Sequence, residues 1–194
     1  MHGLINRSIQ CFVRDSYGVE AWQAVAAAAN IGDDGFEALL RYDPAITHAI
    51  LASAESHLDS PRAMILEDIG SYLVSHPNLH APRRLLRFGG GSFVDFLFSL
   101  DELRGRVRLA VPDLEFPLLE LLDHSSRAYT LLVTSQQPGF GHVLVGMLRG
   151  MADDYGALVF LEHRGRRDGV ETISIDLIEV SYAQGRDFAL APTA

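Results

Sequence analysis

A change of hydrophobic period is what most constrains this chain. Up to about residue 104 the apolar side chains recur at spacings of three and four, whereas beyond Pro112 they come in short runs and strict alternation. The first pattern puts one apolar stripe on a helix and the second puts alternate side chains on one face of a strand, so helices must be followed by a sheet. Leu4, Ile5, Ile9, Phe12 and Val13 trace a helix ending near Tyr17-Gly18, and Trp22, Val25 and the alanines to Ala29 trace another. Asp43-Pro44 and Ser60-Pro61 are start signals, each a small polar residue followed by proline at the first helical position. They precede helices carrying Ile46, Ile50, Leu51 and Ala54, and Ile65, Ile69 and Leu73. A shorter helical piece is expected over 36–40. Ser92 and Asp95 form a capping box for a helix that buries Phe93, Phe96, Leu97, Leu100 and Leu103.

In the second part, the runs 116–122 and 129–135 predict a hairpin turning at Asp123-His124-Ser125-Ser126. A helix over 141–154, a strand over 158–162, a polar turn over 164–169 and an alternating strand through Ile173, Ile175 and Leu177 follow. The fold class is therefore α+β, with a C-terminal ββαββ antiparallel sheet lobe. One domain is expected over 1–182, its helical lobe at about 1–60 and the pocket-forming helices and sheet lobe at about 61–182, with a frayed tail over 183–194.

Composition excludes several functions. All 16 basic residues are arginine, and 25 acidic residues leave a net charge of -9, so no general cationic face exists for nucleic acid or an anionic membrane surface. No apolar stretch approaches the roughly 20 residues that span a bilayer, and no signal peptide opens the chain, which predicts a cytoplasmic protein. Cys11, the single cysteine, lies in an apolar helical stripe and reads as a buried inert thiol. Gly139-Phe140-Gly141 lacks the dinucleotide fingerprint and reads as a helix-start turn, and Gly89-Gly90-Gly91 reads as a hinge. The eight histidines include no i, i+4 pair on an unbroken helix, since Pro77 separates His76 from His80, and one cysteine cannot build a thiolate zinc site. No nucleophile elbow is present, so no catalytic residue is assigned and the chain is read as a non-enzyme. Arg104, Arg106 and Arg108, taken as an extended segment, would point the same way and pair with surface carboxylates such as Asp101 and Glu102.

Gly3-Leu4-Ile5-Asn6 through Phe12-Val13 to Tyr17-Gly18, then Glu20-Ala21-Trp22, resembles the start of the heme-nitric oxide/oxygen binding (H-NOX) family, the bacterial relatives of the sensor domain of soluble guanylate cyclase. Phe96-Leu97 and Leu100-Asp101-Glu102-Leu103 resemble that family's proximal helix, Pro117 falls where a proline presses on the heme, and the order of elements agrees. The resemblance covers nearly the whole chain and implies the H-NOX fold, a gas-sensing function and heme as cofactor.

In that family a histidine directly after the Leu-Asp-x-Leu segment ligates the iron, and a Tyr-x-Ser-x-Arg motif holds the propionates. Here those places fall on Arg104, and on Val133, Ser135 and Gln137. A guanidinium has no available lone pair for iron. A neutral glutamine gives one ordinary hydrogen bond of ~1 kcal/mol where a charged fork is worth about twice that. Three functions follow from the resemblance. The pocket takes another small apolar ligand, with Arg104 supplying a cation; or it has closed and the domain is a regulatory partner; or heme is held by another axial ligand, His124 or His142. The resemblance also implies pocket walls at Ile5, Phe93, Phe96, Leu97, Pro117 and Leu144, each with core packing as its commoner role. It implies a signalling partner too, such as a histidine kinase or a cyclic-di-GMP enzyme.

Overall fold

The computed structural model describes residues 1–32, 35–77, 80–87 and 90–185, without the side chains of His80 and Ala81. The backbone divides into two compact units, Met1–Ile69 and Gly70–Ala194.

The first unit is helical. Helices α1 (Gly3–Tyr17), α2 (Val19–Ala28) and α3 (Pro44–Leu58) lie where the period places them, and α4 (Arg62–Ser75) begins in this unit and ends in the next. Capping explains where they start and stop. The His2 ring accepts the Leu4 N–H, the Asp43 carboxylate accepts the Ala45 N–H at 2.8 Å, and Gly18 breaks α1 from α2 at φ 97°. Ile9, Phe12, Val13, Trp22, Val25, Ala26, Ile50 and Ala54 are all under 5% exposed and form this unit's core. Asn6, fully buried, accepts the Thr47 hydroxyl at 2.6 Å. Cys11 is half-buried rather than buried, because it sits at the margin of the α1 stripe with the Arg14 guanidinium 3.9 Å from its sulfur. The helical piece expected over 36–40 is instead a turn. The Gln10 side chain takes the Phe36 N–H and the Tyr42 hydroxyl takes the Glu37 N–H, so these groups are satisfied without a helix.

The second unit carries α5 (His80–Arg87), α6 (Phe93–Phe98), a 3-10 turn (Ser99–Glu102) and α7 (Leu103–Ala110). It continues with strands β1 (Leu118–Ser125) and β2 (Ala128–Thr134), α8 (Phe140–Tyr155), and strands β3 (Leu158–Arg167) and β4 (Val170–Glu179). The capping box at Ser92 and Asp95 is present. The helix expected to run on through Leu103 is broken by the 3-10 turn. That tightening keeps both Leu100 and Leu103 at 1% exposure and lets the Asp101 carboxylate accept the Leu121 N–H at 2.9 Å, covering a donor on the free edge of β1.

The sheet is antiparallel throughout, in the order β1-β2-β4-β3. Its inner row, Leu119, Tyr129, Leu131, Val133, Ile173, Ile175 and Leu177, packs with Leu144, Val145, Leu148 and Met151 of α8 in one core. Both hairpins turn later than expected. The first turns after Ser125, following a register shift between Asp123 and Ser125. In the second, Arg164 to Arg167 belong to β3 and only Asp168-Gly169 turns, with φ of 52° and 84°. That pair of positive φ values is the type I′ geometry an Asp-Gly dipeptide favours. Of the glycine run, Gly90 is at φ 140° and Gly89 lies outside the described residues, as do residues 186–194 of the expected tail.

Candidate functional site

Phe93, Phe96, Leu97 and Leu144, expected as pocket walls, belong to the core of the second unit at 1%, 1%, 0% and 2% exposure. The Tyr155 ring lies 6.4 Å from Phe93 and 6.0 Å from Phe96. Removing each large apolar side chain from water is worth about 1.5–3 kcal/mol, so packing alone accounts for these residues. Burial raises the Tyr155 phenol above its ordinary value, offset in part by Arg87, and the neutral hydroxyl donates to the Gly90 carbonyl at 3.1 Å. Pro117 is buried just ahead of β1, next to Phe116, whose ring meets Phe140 edge-on at 6.4 Å. Ile5 is half-buried on α1 in the other unit.

The three arginines do not lie on an extended segment. They are on α7, whose turn separates them: Arg104 and Arg108 are exposed, while Arg106 is half-buried and donates to the Leu85 and Ser99 carbonyls at 3.1 and 2.6 Å. The pairing expected with surface carboxylates is also absent among the described residues, because Asp101 faces the β1 backbone instead. At the expected propionate clamp, Val133 is fully buried in the sheet core. The Ser135 hydroxyl accepts the Gln137 N–H at 3.2 Å, and Gln137 is half-buried. Arg166, from β3, donates to the Ser135 carbonyl at 3.1 Å. This guanidinium comes from the register of the β3–β4 hairpin, and no sequence motif signals it. A protonated guanidinium on an exposed helix face and a buried valine do not fit heme held from this helix and this strand end.

Neither alternative ligand is a free imidazole. The His142 ring lies flat on His163, centroids 3.9 Å apart and planes 22° from parallel, and His124, exposed on β1, has its Nε2 2.9 Å from the Thr130 hydroxyl of β2. Among the described residues, no three His, Cys, Asp or Glu side chains converge as a metal cage requires.

A polar cluster that sequence reasoning missed lies at the start of α8. Glu171, at 2% exposure in the otherwise apolar inner row of β4, accepts the Gly139 N–H at 3.0 Å, the Gly141 N–H at 3.2 Å and the His163 Nε2–H at 3.0 Å. His163 Nδ1 accepts the Gly165 N–H at 3.2 Å, which leaves the proton on Nε2. The first N–H groups of a helix are unpaired within it and carry its positive end, so a carboxylate there is doubly favoured. Gly141 makes room for it: a Cβ would stand 2.7 Å from His163 Nε2 and 2.8 Å from Glu171 Oε2. The reading of Gly139-Phe140-Gly141 as a helix-start turn holds, with Gly139 at φ 102°. Glu171→Gln turns an amide NH2 toward one of these donors. It should cost about 1–2 kcal/mol, read as a lower urea midpoint at unchanged slope.

On the opposite side of the sheet, an open groove of about 480 Å³ is lined by Arg127, Ala128, Phe160, Asp176, Leu177 and Ile178, none of them an expected site residue.

Comparison with known proteins gives a consistent picture. A model of the Haem-NO-binding family matches residues 2–163. Soluble guanylate cyclase gcy-31 of Caenorhabditis elegans is 25% identical over 154 residues, 79% of this chain and 22% of that protein. Soluble guanylate cyclase 89Db of Drosophila melanogaster is 21% identical over 158 residues, 81% of this chain and 24% of that protein. The chain thus spans less than a quarter of the length of these curated relatives. Among solved structures, an Fe(II) unliganded H-NOX protein from K. algicida superposes with a TM-score of 0.77 at 18% identity, covering 95% of this chain and 100% of that one. An H-NOX protein from S. oneidensis in its Fe(II)NO state superposes at 0.76 and 15% identity, covering 91% and 99%. At these identities the likeness establishes the shared fold.

Proposed function

Because this chain belongs to the Haem-NO-binding family, we propose that it is a noncatalytic signalling domain whose response does not run through iron held from α7. It acts as the regulatory partner of a signalling enzyme. The observation that carries this reading is the exposed guanidinium of Arg104 at the position where the family resemblance calls for the iron ligand. Iron needs a lone pair, and an arginine side chain is protonated at every physiological pH. The buried Val133 supports the reading, since it has no hydroxyl to offer a propionate.

Packing of Phe93, Phe96, Leu97 and Leu144 against one another favours a regulatory module over a small apolar ligand held by those side chains. A domain of this kind works by population shift: a partner that binds one of its conformations more tightly draws the equilibrium toward it. The class of partner follows the family, a histidine kinase or a cyclic-di-GMP enzyme. The relatives' names add a guanylate cyclase.

Colour tests this. Protein produced with a heme precursor and purified should lack the intense band near the blue edge of the visible spectrum, and titrated hemin should show no saturable, one-to-one binding. A heme band lost in His142→Ala or His124→Ala would replace this reading with heme sensing through another axial ligand. An organic molecule released on denaturation, identified by mass spectrometry, would replace it with small-ligand sensing.

A further inference from the structure

Helix α7 leaves one side uncovered. At 3.6 residues per turn Leu103 and Val107 point inward together, at 1% and 6% exposure, while Arg104, Gly105, Arg108 and Leu109 share the opposite arc. All four are exposed, Leu109 at 87%. Arg104 and Arg108 stand one turn apart, where like charges repel along a helix, and neither makes a side-chain hydrogen bond or ion pair among the described residues. Of the carboxylates nearby, Asp101 accepts the Leu121 N–H instead, and the third cation, Arg106, is turned inward to the Leu85 and Ser99 carbonyls. Nothing lies within 4 Å of where a Cβ on Gly105 would stand, so another backbone can come close there.

We propose that this face of α7 docks an acidic protein segment, with two carboxylates spaced to meet Arg104 and Arg108 and an apolar side chain set against Leu109. The proposal rests on the signalling reading above and supplies the chemistry of its partner. A guanidinium grips a carboxylate through two parallel N–H···O bonds, so carboxylates one helical turn apart fit this face. In a chain of net charge -9, two unneutralised cations beside a bare leucine also orient an acidic partner as it approaches, through an attraction that salt screens.

The probe is a synthetic helical peptide with glutamates at i and i+4 beside a leucine stripe, followed by fluorescence anisotropy against the full chain at low and physiological salt. The glutamate peptide should bind, and its glutamine version should bind roughly tenfold more weakly. The double reversal Arg104→Glu/Arg108→Glu should lose about the same factor and instead bind a lysine version of the peptide, a rescue that a misfolded protein could not give. Leu109→Ser should weaken binding without changing its salt dependence, and Arg164→Glu/Arg167→Glu on the β3–β4 hairpin should leave it unchanged. The proposal is overturned by no binding of the glutamate peptide up to millimolar concentration, by equal loss in the hairpin reversal, or by phosphatidylserine vesicles binding where the peptide does not. A heme band in the same preparation would overturn the signalling reading at position 104 and leave the peptide result standing.

Discussion

Gly70→Ala is expected to destabilise the sheet-bearing unit by about 3 kcal/mol, the upper part of the usual range for overpacking. Two effects oppose each other. Alanine in a helix interior gains about 0.5–1 kcal/mol over glycine through reduced chain entropy. Against this, a Cβ at Gly70 would fall onto the Val143 carbonyl oxygen of α8 and stand 2.9 Å from the Met147 backbone nitrogen. The obstructing atoms are backbone, which cannot rotate aside, so α4 and α8 must separate and give up the Ser71 hydroxyl bond to the Gly146 carbonyl, 3.1 Å long. Gly105→Ala is the matched control. It lies in α7 with nothing nearby and should stabilise by the propensity gain alone. Thermal unfolding should therefore shift down by about 10 °C for the first and slightly up for the second. A Gly70→Ala protein as stable as the parent would mean that α4 and α8 are not in that contact.

Asp154→Ala should cost about 2–4 kcal/mol. Asp154 is 1% exposed at the end of α8 and receives the Arg83 guanidinium as a fork, Nε at 2.6 Å and Nη2 at 3.1 Å. Breaking a buried pair by removing one partner costs about 3–5 kcal/mol, because the other charge is left desolvated. The lower range applies here because the Arg83 side chain keeps 23% exposure and can turn part of its charge to water. Arg87 stays in place, since it donates to the Asp154 backbone carbonyl at 2.9 Å and lies over the Tyr155 ring at 4.1 Å. Asp154→Asn keeps one acceptor and should lose roughly half as much. In a double-mutant cycle with Arg83→Ala, the two losses should fall well short of adding. Additive losses would show that the fork contributes nothing.

Much of the architecture was legible because its signals are local. The period change, the two polar-proline starts and the Ser92–Asp95 capping box act within a few residues of themselves, and α3, α4 and α6 begin at those signals with the sheet following the helices. The misplaced boundaries have local reasons of another kind. The 36–40 turn is held by side chains of Gln10 and Tyr42, and the β3–β4 turn is the Asp168-Gly169 dipeptide, a signal present in the sequence but absorbed into a longer polar stretch. The Arg104 to Arg108 segment has alternating arginines, as a strand can, yet Leu103 and Val107 at i, i+4 spacing bury on one side and make it a helix.

The chain's chemistry by itself determined that residue 104 carries a guanidinium, which has no lone pair to offer a metal whatever the fold around it. Tertiary structure alone decided which way that guanidinium faces, that Arg166 comes to Ser135, and that a carboxylate thirty residues downstream of Gly141 caps α8. The physical reason is common to all three. A side chain's identity sets what it can bond, but its direction and its neighbours follow from strand register and helix packing, which are properties of the whole core.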